Sequence, residues 1–189
     1  QQRLWFLAQL DPLGTSYHIS LELELVGELD AAALRRSLDR LLARHQALRT
    51  VFHALDGQPV ATLLPPATAW PLAEHDLRGE ADAEATAAAL LAACAQAPYE
   101  LARGPLVRAV LVRLAERRHR LSLGLHHIVA DGWSINLLAQ EFGALYAAYR
   151  EGRADPLPAL AVQYPDYAAW QRIALTPERL QALGGERDA

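Results

Sequence analysis

The chain has 189 residues, 52% hydrophobic and 21% charged, with a formal net charge of −4. That suits one sizeable globular domain and excludes general disorder, which needs few apolar residues and a high net charge. The acidic balance argues against a nucleic-acid partner, the single cysteine (Cys94) excludes intrachain disulfides and multi-cysteine zinc sites, and no apolar run reaches the roughly 20 residues that span a bilayer.

A cytoplasmic setting is the expectation, with neither nucleic acid nor membrane as partner. Methionine is absent and the chain opens on Gln1-Gln2-Arg3, which reads as a piece of a longer or processed polypeptide. Every basic residue other than histidine is arginine, a mark of codon bias more than of a binding patch.

In chain order, Gln2 to Leu10 predicts a short amphipathic helix stopped by Asp11-Pro12. Ile19 to Leu25 alternates apolar and polar residues and predicts a half-buried strand. Asp30 is placed to cap a helix running to about His45, with Leu34, Leu38, Leu41 and Leu42 on one face. Leu48 to Leu55 and Pro59 to Leu64 flank Asp56-Gly57 as a hairpin, and Pro65 to Trp70 is a connection. Asp82 to Ala97 is Ala-rich and helical, and Pro98 to Pro105 is loop.

Leu106 to Leu114 and His119 to His126 predict two strands joined by a polar turn. Ser134 is read as the cap of a long helix to about Arg150, ended by Gly152. An extended connector follows, then short helices at Tyr164 to Ala174 and Pro177 to Leu183, and a frayed tail from Gly184. Together these predict one α/β layered domain, a mixed sheet packed by helices.

The chemistry-bearing stretch is His126-His127-Ile128-Val129-Ala130-Asp131-Gly132-Trp133-Ser134, between a strand end and a helix start. Adjacent strand residues point to opposite sides, so one histidine faces the domain and the other a cleft. An imidazole suits proton handling near neutral pH. Asp131 either orients the imidazole or pairs with an arginine to fix the loop, and Gly132 permits close backbone approach. Against this stand a structural histidine and a metal site with His45 or His119 as distant ligands. Ser134 is disfavoured as a nucleophile because no Gly-x-Ser-x-Gly elbow exists, and Cys94 reads as packing. Trp5 and Phe6 read as core anchors, Tyr164 to Trp170 as an aromatic helix packed on the sheet, and Arg117 to Arg120 as a solvated turn.

HHIVADGWS resembles the HHxxxDG motif of condensation domains of non-ribosomal peptide synthetases, within the chloramphenicol-acetyltransferase-like superfamily. QQRLWFLAQL resembles that family's opening motif without its first residues. Arg44 to Phe52 (RHQALRTVF) resembles RHExLRTxF, with Gln46 where glutamate is usual, and Tyr164 to Trp170 resembles YxDYAxW. The resemblance covers the first of the family's two lobes. Residues 1–175 are thus expected to form an N-terminal lobe clipped at its start, and 176–189 a connector toward a C-terminal lobe that the chain lacks.

The resemblance implies peptide-bond formation between a carrier-bound aminoacyl or peptidyl thioester and a carrier-bound acceptor amine. RLWFL and the long HHIVADGWS resemble the subtype with an L-configured donor. His127 aligns with the second motif histidine, which accepts or positions the amine proton, and His126 with a structural one. Asp131 resembles the structural aspartate that pairs with an arginine; Arg44 is the first candidate and Arg49 the second, and an alanine at 131 is expected to strand it. The backbone N–H near Gly132 is the candidate oxyanion donor.

No metal or cofactor is implied for this chain; phosphopantetheine arms belong to the peptidyl carrier protein partners, and an adenylation domain is expected in the same polypeptide. The chain alone is expected to be inactive. The competing readings are an acyltransferase using CoA or a free acceptor, and a non-catalytic carrier- or partner-binding module of the same fold, a class that usually lacks the second histidine.

Overall fold

The computed structural model describes residues 1–11 and 14–174. The elements are α1 (Gln2–Leu10), β1 (His18–Val26), α2 (Ala31–Arg44), a single 3-10 turn (Gln46–Arg49), β2 (Thr50–Leu55), β3 (Gln58–Leu63), β4 (Leu72–Asp76), α3 (Ala83–Gln96), β5 (Val107–Ala115), β6 (Arg118–His126), α4 (Gly132–Arg150) and α5 (Tyr164–Ala174). The expected second short helix, the 176–189 connector and the tail lie outside the described residues. Among the described residues, no helix is long and apolar enough to cross a membrane.

Four strands form one sheet in the order β1-β6-β5-β4, antiparallel except for the parallel pair β4–β5. Strand alternation divides its two faces. Ala109 and Leu111 of β5, with Leu121 and Leu125 of β6, join Leu34, Leu38, Leu41, Leu42 and Leu145 in the larger core, beneath α2 and α4. Val110 and Val112 turn the other way, onto Ala87, Leu91 and Cys94 of α3. The chain is therefore a mixed sheet covered by helices on both faces.

Local chemistry explains the elements. Asp30 caps α2 by accepting from the Ala33 amide at 2.9 Å, and the buried positions 33, 34, 37, 38, 41, 42 and 44 recur at helical spacing. β2 and β3 form a separate two-stranded hairpin whose turn residues Asp56 and Gly57 have φ of 51° and 74°, as a primed turn requires. Gly152 closes α4 with φ 69°.

Three expectations need correction, and one strand is added. β4 falls between the Pro65 to Trp70 connection and the Ala-rich helix, where the sequence predicts no element; its pairing with β5 comes from tertiary contact, since its own alternation is weak. Helix α4 begins at Gly132, and its cap is Asp131, three residues before the expected Ser134 cap. Helix α5 packs near the 3-10 turn and not on the sheet, and its Tyr164, Tyr167, Trp170 and Ile173 are exposed. Trp5 does pack on the core, but Phe6 is 58% exposed.

Candidate active site

Strand β6 delivers the site. Its last residue, His126, donates its amide to Leu106 O at 3.0 Å, and the next, His127, donates to Tyr17 O at 2.7 Å, so the chain stays pinned on both sides. It then turns sharply, with the Val129 amide on His126 O at 3.0 Å. Ile128, Val129 and Ala130 are buried, which anchors the turn in the core before Asp131 starts α4.

The two histidines diverge as strand geometry requires. His126 is buried, whereas His127 is exposed. The Ile128 amide lies 3.1 Å from Nδ1 of His126; an amide only donates, so that nitrogen is unprotonated and the neutral ring carries its proton on Nε2. Tyr99 meets this ring edge-on at 5.8 Å and His18 at 6.0 Å. The Arg108 guanidinium lies over the Tyr99 ring at 3.5 Å. A Cβ on Gly124 would stand 2.9 Å from the Tyr99 hydroxyl, so glycine is required under this stack. Burial, reinforced by His18, His127 and Arg108, lowers the pKa of His126 to about 4. His126 thus shapes the turn as a neutral acceptor, and His127 is the imidazole left to act.

His127 lines a cavity of about 350 Å³. The turn itself, from Ile128 to Asp131 with Ser134, forms one wall. Gln1 and Leu4 of α1, His45, Ala47 and Leu48 at the end of α2, and Tyr164 of α5 form the others. Gln1 ties α1 to the turn through Nε2 on Ile128 O at 3.0 Å. A larger cleft of about 540 Å³ lies beside His119, at the opposite end of β6. Several of its charges are paired, as in Asp76–Arg78 at 2.6 Å and Glu116–Arg113 at 2.5 Å. The cavity around His127 sets an exposed imidazole over a largely apolar wall.

The Asp131–arginine pair is replaced by other partners. Asp131 Oδ1 accepts from the Ser134 amide at 2.8 Å and the Ser134 hydroxyl at 2.7 Å, and these bonds hold its carboxyl below the usual carboxylate range. Arg44 is buried on Glu141, Nε to Oε1 at 3.1 Å, and donates to Pro158 O at 2.6 Å. Arg49 is buried on carbonyls, Leu42 O at 3.1 Å and Leu64 O at 2.5 Å, joining the end of α2 to the end of β3. Each arginine thus has nearer acceptors than Asp131. Gly132 opens α4, with nothing within 4 Å of where its Cβ would stand.

Glu141 was not anticipated. It takes His45 Nε2 at 2.6 Å on Oε2 as well as Arg44 on Oε1. A carboxylate on the buried face of α4, amid Leu138, Leu145 and Tyr149, is the signal that marks it. The basic turn is also less free than expected: Arg118 bridges Glu24 and Glu84, Arg120 pairs with Glu22, and His119 is buried. No group of three or more potential metal ligands stands together among the described residues, so His45 and His119 do not complete a metal site.

Comparison with known proteins agrees with this arrangement. The family model described as Condensation domain matches residues 1–183. The chain is 51% identical over 182 residues to malpibaldin synthetase of Mortierella alpina, a match covering 96% of this chain and 3% of that protein. The first condensation domain of the calcium-dependent antibiotic synthetase, solved with a substrate analogue, aligns with TM-score 0.78 and 32% identity over 93% of this chain and 42% of that one. The X-domain from teicoplanin biosynthesis aligns with the same TM-score and identity over 99% of this chain and 38% of that one. The chain therefore spans a small part of its curated relative and about two fifths of these solved chains. Its mixed sheet with flanking helices is the chloramphenicol-acetyltransferase-like fold, and the chain belongs to the condensation-domain family.

Proposed function

We propose that this chain contributes the His127-bearing lobe of a peptide-bond-forming condensation domain in non-ribosomal peptide synthesis. The observation that carries the reading is the division between adjacent imidazoles: His126 is committed to the turn, and His127 stands free at a cavity. The acceptor's α-amine attacks the carbonyl carbon of the donor thioester; the C–N bond forms, the C–S bond breaks, and the thiolate leaves. The thioester is already activated, so holding the two tethered substrates in attack geometry supplies the larger part of the rate. His127 takes a proton from the attacking nitrogen and returns it to the departing sulfur. The Gly132 amide, in the first turn of α4 where N–H groups lack helical carbonyl partners, faces the developing oxyanion.

Both substrates arrive on phosphopantetheine arms of peptidyl carrier domains, and an adenylation domain of the same polypeptide loads the acceptor. The missing wall of the site belongs to a second lobe, so the reaction is assigned to the full-length protein and not to this chain alone. The RLWFL and HHIVADGWS blocks support an L-configured donor. An acyltransferase using CoA or a free acceptor shares the chemistry, but four condensation-type blocks favour the carrier-bound form. The X-domain is as similar in fold as the condensation domain, so fold does not separate catalysis from partner binding; the retained His127 favours catalysis.

The test offers the full-length protein donor carriers charged with L- or D-aminoacyl groups and a charged acceptor carrier. Intact-mass analysis should show a dipeptidyl acceptor carrier, formed faster from the L-donor. No product from either donor contradicts the condensation reading, and a faster D-donor contradicts the subtype.

A further inference from the structure

The proposed reaction begins with an amine that is largely ammonium near neutral pH, because an α-amino group titrates at about 8. That nitrogen must lose two protons, one to become a nucleophile and one after it has bonded to carbon. His127 accounts for the second. His126 cannot supply the first acceptor, since its Nδ1 holds the Ile128 amide and its ring is buried.

Another imidazole borders the same cavity. His45, at the end of α2, lines it together with His127. Its Nε2 lies 2.6 Å from Glu141 Oε2, and a carboxylate only accepts, so Nε2 carries a proton and, in the neutral ring, Nδ1 is the lone pair. Nδ1 makes no hydrogen bond among the described residues and is not one of the buried atoms left unpaired, and the side chain keeps 15% of its surface exposed. Nδ1 is therefore not sealed from solvent. Arg44 Nε anchors the other oxygen of Glu141 at 3.1 Å, which fixes the carboxylate and, through it, the ring. A carboxylate–imidazole pair with a free far nitrogen at a cavity is the geometry of an oriented base.

We propose that His45, oriented by Glu141, takes the first proton from the acceptor's ammonium group and so prepares the nucleophile for the step that His127 completes. This rests on reading the cavity as the condensation site. The ammonium N–H bond breaks, its electron pair stays on nitrogen, and the proton moves to Nδ1; the imidazolium pairs with Glu141 and later gives the proton to water. The charged and titratable groups around the ring are Arg44 on α2, Glu141 on α4, His127 and Asp131 on the intervening turn, and Tyr164 on α5.

His45→Gln keeps a donor toward Glu141 and removes the basic nitrogen. In the full-length protein with charged carriers, the variant should form product about tenfold more slowly than native near pH 6.5. The deficit should shrink to within about twofold near pH 9, where the amine is already neutral. Glu141→Gln should show the same convergence, and His45→Asn carries the test if His45→Gln does not fold. A deficit of equal size at both pH values, as a purely structural residue would give, overturns the proposal, as does no deficit. The native protein separates the two readings. If it forms product while His45→Gln shows no convergence, only the role of His45 falls. If it forms no product from charged carriers, the condensation reading falls and takes this one with it.

Discussion

Replacing Asp131 by alanine removes one oxygen that serves two donors of Ser134, the amide at 2.8 Å and the hydroxyl at 2.7 Å. The loss is that of a helix N-cap, about 1 kcal/mol. A stranded buried arginine would cost about 3–5 kcal/mol. Asp131→Asn should stay within about 0.5 kcal/mol of native in urea unfolding, because asparagine caps as well as aspartate. A loss above about 3 kcal/mol in Asp131→Asn would restore the buried ion pair. His126 sets a different signature. Its folded pKa, about 4, lies below the ordinary histidine value of 6.5, so the unfolded chain binds the proton first as pH falls. Its contribution is intact above about pH 6.5 and is lost on acidification toward about pH 4, up to roughly 3 kcal/mol. His18 and His119, also lowered chiefly by burial, act in the same direction. Urea unfolding across that window should show the decline, and His126→Gln should flatten it; an unchanged slope in that variant would remove His126 as its source.

At the scale of elements, the strongly periodic segments were legible. The alternation of β1 and β6, the apolar stripe of α2 and the Asp56-Gly57 turn all carry their own geometry and form where their patterns place them. The misreadings occur where the partner lies elsewhere in the chain. Leu72 to Asp76 holds few apolar residues and is a strand because β5 pairs with it in parallel. In Asp131-Gly132-Trp133-Ser134 two residues are chemically fit to cap, and the local order of the motif does not say which. The periodicity of α5 stacks Tyr164, Tyr167 and Trp170 at 5.9 and 5.8 Å spacing, yet periodicity alone does not say what covers such a face. The site divides the same way. His126, His127, Asp131 and Gly132 lie in one contiguous motif and were found together. His45 and Glu141 stand 96 positions apart and meet only because α2 crosses α4.

Across the whole molecule, the two ends of the sheet differ in chemistry. One end of β6 carries mutually paired charges around Arg118 and Arg113; the other carries an unpaired His127 above an apolar turn. Two cores, one on each face of the sheet, hold that difference in place, and the reactive group sits on a buried turn directly after the end of β6. The site's openness fits a chain that spans about two fifths of the solved condensation-domain chain it resembles. The most direct measurement is the single-turnover rate of dipeptidyl-carrier formation by the full-length protein carrying His127→Ala. We expect the rate to fall by at least about tenfold with an unchanged thermal unfolding profile. A native rate in that variant would contradict the assignment of His127 as the group that completes peptide-bond formation.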